Sequence, residues 1–146
     1  MFSLKYLITS SLLLLLFFNS LQGQDTGSIT ISIPDFEFSR RGQLIVLIFE
    51  SKEGFPTDIN LAHRFSKSRG DNIGEMIGTF GAVPYGEYAI VAYYDKNSNN
   101  KLDTNFLGIS KEPIGTSSGS KFRRLKFEKA SFILNEPSKE FEIKLY

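Results

Sequence analysis

The chain has 146 residues, with 17 Lys and Arg, 16 Asp and Glu, one His and neither Cys nor Trp. That length holds one domain with a short appendage and falls well short of a TIM barrel, which needs about 250 residues. The absence of Cys excludes disulfides, thiolate zinc sites and cysteine nucleophiles, and a single His excludes a multi-histidine metal centre.

Residues 1–23 read as a secretory signal. Lys5 is the only charge, residues 7–18 form an apolar stretch of h-region length, and residues 19–23 (NSLQG) are mostly small and polar. The stretch is shorter than the roughly 20 apolar residues a bilayer span needs. Cleavage is expected near Gly23 or Gln24, leaving a domain over residues 24–146 with no transmembrane span; retention as an N-terminal membrane anchor is the other reading. Loss of Lys5 leaves 16 basic against 16 acidic residues. Nucleic acid is therefore not an expected partner, because its binding domains carry a clear basic excess. The expected location is the periplasm, the outer-membrane surface or the medium, with an envelope glycan, lipid or protein as partner.

The remaining chain reads as strands and turns. Residues 28–33 (SITISI) alternate polar and apolar, a half-buried strand that Pro34 should stop. Residues 40–43 should turn, and the unbroken apolar run 44–49 fits a central strand buried on both faces. Residues 52–70 suggest a long loop with one helical turn around 59–65. Residues 73–80 form a weaker strand. Val83 to Tyr88 (VPYGEY) read as a tight corner, with Pro84 fixing its own φ and Gly86 supplying a positive one. Residues 88–94 leave it as a second central strand. Residues 95–119, rich in Asn, Asp, Gly and Ser, suggest irregular structure, and strands are expected again at 131–134 and 141–145. The fold class is all-β, a single antiparallel sandwich. Phe49, Tyr88, Tyr93, Phe132 and Phe141 are expected in its core.

The 95–103 segment carries the clearest chemistry. Asp95, Asn97, Asn99 and Asp103 occupy positions 1, 3, 5 and 9 of an EF-hand-like loop. Lys101 at position 7 can offer its backbone carbonyl, and Leu102 is the apolar anchor. Such hard oxygen donors suit Ca²⁺. Position 6 is Asn100 where Gly is usual, and position 12 is Phe106, so the bidentate Glu is missing. Asp103, Asn105 or Glu112 would have to complete the shell. Two readings stand: a low-affinity Ca²⁺ loop, and an Asx-rich turn closed by its own hydrogen bonds.

Other features are weaker. Residues 115–119 (GTSSG) spell G-x-S-x-G around Ser117, without the strand, helix and histidine that a nucleophile elbow requires. His63 is expected on the surface. Lys121, Arg123, Arg124 and Lys126 alternate with Phe122, Leu125 and Phe127. That is a solvated charged edge or a contact for an anionic glycan or lipid headgroup. Tyr85, Phe106, Glu112 and Phe122 are the candidate binding residues.

Three blocks, residues 42–49 (GQLIVLIF), 83–90 (VPYGEYAI) and 94–112 (YDKNSNNKLDTNFLGISKE), with 127–132 (FEKASF) downstream, resemble a family of small secreted bacterial proteins, domain of unknown function 2141. The chain departs from the family pattern at Asn100 for Gly, Ser110 for Pro and across residues 114–118. The resemblance implies a sandwich of transthyretin-like (prealbumin-like) or Ig-like type in the cell envelope, with no established activity. A transthyretin-like fold raises hydroxyisourate hydrolase, but one His and a C-terminus of Lys144, Leu145 and Tyr146 lack that family's residues. The leading expectation is an exported, non-enzymatic binding or structural module with a candidate Ca²⁺ loop. A carbohydrate- or lipid-binding accessory domain and a small secreted hydrolase are the alternatives.

Overall fold

The computed structural model describes residues 24–37, 41–68, 73–119 and 125–146. The expected signal and the Lys121 to Arg124 part of the basic cluster, with Phe122, lie outside the described residues. Among the described residues, eight strands and one helical turn follow in chain order: β1 Thr26–Glu37, β2 Gln43–Phe49, β3 Arg64–Ser68, β4 Ile73–Pro84, β5 Gly86–Asp95, β6 Ile114–Thr116, α1 Phe127–Ala130, β7 Ser131–Leu134 and β8 Ser138–Glu142. They form two facing sheets, β4-β1-β8 and β3-β2-β5-β6, with β7 also paired to β5. The fold is the all-β sandwich that the strand pattern predicts.

The two sheets have different sequence signatures because they are buried differently. In β1, Ile29, Ile31 and Ile33 are at most 2% exposed, while Thr30 and Ser32 face outward. On that outer face Thr30 Oγ1 meets Thr79 Oγ1 across the β1–β4 register at 3.1 Å. One face is dry and one is wet, hence the alternation. Every residue of β2 is buried. Leu44, Val46 and Ile48 face the β1 isoleucines, with Ile90, Ala92 and Tyr94 of β5 beside them. Ile45, Leu47 and Phe49 face the opposite way, against Val91, Tyr93, Phe127 and Ala130, with Phe55, Ile59 and Leu102 closing the layer. A strand covered on both faces needs apolar residues at every position, which is why β2 and β5 read as continuous runs.

Several expectations are corrected. Pro34 does not end β1. The strand runs on to Glu37, and its register with β4 slips between Ile33 and Phe36, an irregularity of the kind that accommodates a residue without an N–H. Gly86 does not take a positive φ at the β4–β5 corner; the nearby left-handed residue is Ala82, φ 52°, inside β4 where the register with β1 slips. Residues 59–65 do not form a helical turn, and β3 occupies Arg64–Ser68 as an edge strand against β2. Gln43 belongs to β2, not to the preceding turn. The 95–119 region contains a strand, β6, paired with β5.

Pairing is antiparallel except between β1 and β8, which are parallel. β7 lies in one sheet and β8 in the other. The chain thus reaches β8 by crossing between layers, and no hairpin imposes the antiparallel direction. Strand β8 starts three residues earlier than the alternation suggests. Beyond it Ile143 N–H still bonds Ser32 O at 2.9 Å, and Tyr146 exchanges two 3.2 Å backbone bonds with Ile114 of the opposite sheet.

Candidate functional site

β5 ends at Asp95, where the chain leaves the sheet as a loop that returns through residues 103–111 to β6. Asp95 is fully buried. Its Oδ1 accepts from Asn99 N–H at 3.2 Å, and its Oδ2 from Asn100 N–H at 2.7 Å. Gln43 Nε2 donates to the same Oδ2 at 2.8 Å and to Asn100 Oδ1 at 2.9 Å. Gln43 arrives because it pairs with Asp95 in the β2–β5 register. Ser98 and Asn100 take positive φ, 58° and 64°. Asn100 thus supplies the left-handed step that Gly usually makes at that position, as Asn tolerates it well.

Asn97, Asn99 and Asp103 converge. Asn97 Nδ2 donates to Asp103 Oδ2 at 2.7 Å, and Asn99 Nδ2 to Asp103 Oδ1 at 3.2 Å. The two Asn carbonyls close Asx turns, accepting from Asn99 N–H at 3.0 Å and Lys101 N–H at 2.8 Å. The side-chain ends at positions 3, 5 and 9 meet, while Asp95 at position 1 is held apart on Gln43 and the Asn99 and Asn100 N–H groups. Lys101 contributes its N–H to this turn and leaves its side chain exposed.

Glu112 fastens both ends of the loop. It is 4% exposed, and its carboxylate accepts from Lys96 N–H at 2.8 Å and Asp103 N–H at 3.0 Å. It therefore lies inside, not on a contact surface. Among the described residues, no group of three or more His, Cys, Asp or Glu is placed to hold a metal. A cation at this loop would draw on one carboxylate, Asp103, with Asn side chains and backbone carbonyls.

Past Asp103 the chain makes a short hairpin. Lys111 N–H bonds Asp103 O at 2.8 Å, Thr104 bridges Ser110, and Asn105 N–H bonds Ile109 O at 2.9 Å. Asn105 Oδ1 accepts from Leu107 N–H at 2.9 Å and Ile109 N–H at 3.0 Å, and Gly108 takes φ 74°. Asn105 thus shapes the tip and is turned away from the Asp103 cluster. At that tip Phe106 is 95% exposed and Leu107 56%.

Tyr85 stands apart. It precedes β5 at the end opposite Asp95, about 30 Å away along an extended strand, and packs half-buried against the inter-sheet core. Tyr93, two residues before Asp95, is expected from the sequence only as core. It is fully buried, yet its hydroxyl has no hydrogen-bond partner. Burial, with the Asp95 and Glu112 carboxylates adding to it, pushes its phenol up to about 12. Neither Gln43 nor Tyr93 announces itself in the sequence; the one available signal is a polar residue heading an otherwise apolar strand.

The remaining nucleophile and base candidates have structural partners. Ser117 Oγ donates to Ala130 O at 2.5 Å and accepts from Ile90 N–H at 3.1 Å, pinning β6 to β5 and α1. His63 is not a free surface residue. Its side chain is 18% exposed, Nδ1 lies 3.0 Å from Glu50 Oε2, and the ring sits 5.4 Å from that of Tyr88. The β2–β3 pairing folds the loop back so that Glu50 and His63 face each other. No helix among the described residues is long and apolar enough to cross a membrane.

Comparison with curated proteins and with solved structures gives no match. The model of one family, described as an uncharacterized protein conserved in bacteria, matches residues 31–142, from the middle of β1 to the end of β8 and across the whole Asp/Asn loop. The chain belongs to that family, domain of unknown function 2141.

Proposed function

We propose that this protein is an exported, non-enzymatic module of the bacterial cell envelope whose 95–112 loop is its binding element, ordered by Ca²⁺. The observation that carries the reading is the meeting of the Asn97, Asn99 and Asp103 side-chain ends at one point of the loop. An Asn amide has nearly the same shape with its oxygen and nitrogen exchanged. Turned over, Asn97 and Asn99 bring carbonyl oxygens against the Asp103 carboxylate, an arrangement that repels itself until a hard cation sits among the oxygens. The exchange sacrifices two amide-to-carboxylate bonds and two Asx turns, and position 12 lacks its Glu. Affinity therefore falls in the range of extracellular modules, about 10⁻⁴ to 10⁻³ M. The ion's role is to fix the loop and its hairpin, as Asp95 and Glu112 spend their oxygens on loop N–H groups.

Titration calorimetry with Ca²⁺, and Mg²⁺ as control, tests the site. Binding in the stated range that Asp103→Ala abolishes supports it; no heat with Ca²⁺ up to 10 Kd, about 10⁻² M at the weak end of that range, overturns it. Export is tested by the mass of the protein recovered outside the cytoplasm. A mature N-terminus near Gln24 supports the reading, and an intact Met1 chain held in the inner membrane contradicts it.

A further inference from the structure

The 103–111 hairpin combines two features. Its tip holds Phe106 and Leu107 in water, although the turn beneath them is fixed by Asn105 and by the Thr104–Ser110 bridge. Phe106, 95% exposed, contributes nothing to the packing of its own fold. Around the base of the hairpin the fully exposed charges among the described residues are positive. Lys96, Lys101 and Lys111 are exposed, and none has an ion-pair partner among the described residues. Of the nearby acids, Asp95 and Glu112 are buried on backbone N–H groups, and Asp103 is half-buried and accepts from two Asn amides. Lys111 stands four residues from Leu107 and Lys101 five from Phe106, about 13–17 Å along an extended strand, which leaves the ammonium groups behind the tip at headgroup depth. Apolar side chains projecting beyond a collar of ammonium groups match the layering of a bilayer surface, with anionic headgroups above an apolar interior. A glycan stacks on a flat aromatic face; an anionic one would use the collar, but neither kind has a use for the apolar Leu107 at the tip.

We infer that this hairpin docks the protein on an anionic lipid surface, Phe106 and Leu107 entering the acyl boundary while Lys101 and Lys111 meet headgroup phosphates. The inference rests on the reading of the 95–112 loop as the binding element. Occupancy of the Asp103 cluster by a divalent cation adds two positive charges behind the tip and strengthens docking.

The chain has no Cys, so a single Leu107→Cys carries one environment-sensitive nitrobenzoxadiazole label at the tip, and Glu140→Cys on the outer face of β8 carries the control. In the full chain the tip label reports its own surroundings whatever the N-terminal segment does. With vesicles of phosphatidylglycerol and phosphatidylcholine, the label at position 107 blue-shifts and that at 140 does not. The shift shrinks as salt rises and grows with Ca²⁺. Phe106→Ser in the same background weakens partitioning about tenfold or more. No shift at position 107, an equal shift on pure phosphatidylcholine, or an equal shift at position 140 overturns the inference. Failure here with Ca²⁺ calorimetry intact removes the lipid partner alone; a null calorimetric titration removes the cation site.

Discussion

Asp95 and Tyr93 lie on the same face of β5, two residues apart, and have opposite relations to their surroundings. The Asp95 carboxylate accepts three hydrogen bonds, two from loop N–H groups and one from Gln43. Asp95→Ala leaves those donors without their acceptor at a fully buried position and should cost about 3 kcal/mol, read from a shifted urea midpoint. Gln43→Ala removes one donor and should cost less, about 1 kcal/mol. Tyr93 is the reverse case, since its buried hydroxyl has no partner. Tyr93→Phe should leave stability at pH 7 unchanged or raise it by about 1 kcal/mol. Its phenol titrates near 12 in the fold against about 10 in the unfolded chain. The unfolded state therefore loses its proton first, and the native state loses stability as pH rises through that window. Unfolding followed from pH 9 to 12 in EDTA should show this loss in the parent and a smaller one in Tyr93→Phe. Identical profiles would contradict the assignment.

Among the elements, β2 and β5 hold the sandwich together, as each faces apolar layers on both sides. Leu47, fully buried toward the loop-covered layer, should cost about 2–5 kcal/mol when cut to Ala. Gly115 in β6 is constrained differently. A Cβ there would fall 2.3 Å from the Lys144 carbonyl oxygen and 2.6 Å from Ile143 Cγ2. Gly115→Ala should force the C-terminal segment away from β6 and destabilise by about 2 kcal/mol; an unchanged thermal midpoint would show that the segment yields freely. These two positions mark how far the sequence could be read. The run of residues 44–49 announces its strand because both faces are buried. Strands β3 and β6 are hidden, one being a polar edge strand and the other only three residues long. The loop is legible through its Asp and Asn spacing, which needs only local chain geometry. Gln43, the role of Glu112 as a buried fastener of the loop and the His63–Glu50 contact are not, because strand pairing or chain return brings them from distant positions.

Taken whole, the molecule places its chemistry at one end. The strand β5 runs from the Pro84 corner to Asp95, and the loop beyond it carries the 103–111 hairpin with its exposed tip. Leu102 is the loop's contribution to the apolar layers, which are otherwise built mainly from the strands, α1 and the 55–62 segment, so a ligand there can tighten the loop without rebuilding the sandwich. A Ca²⁺ melt tests this account most directly. Thermal unfolding of the protein is followed in EDTA and across Ca²⁺ to about 10 mM, with Mg²⁺ as control. At ten times its dissociation constant the ion stabilises the fold by about 1.4 kcal/mol. The midpoint should therefore rise by several degrees with Ca²⁺, and Asp103→Ala should abolish the rise. A midpoint that Ca²⁺ leaves unmoved at 10 mM, or moves equally in Asp103→Ala, would contradict the account and leave the loop as a turn closed by its own hydrogen bonds.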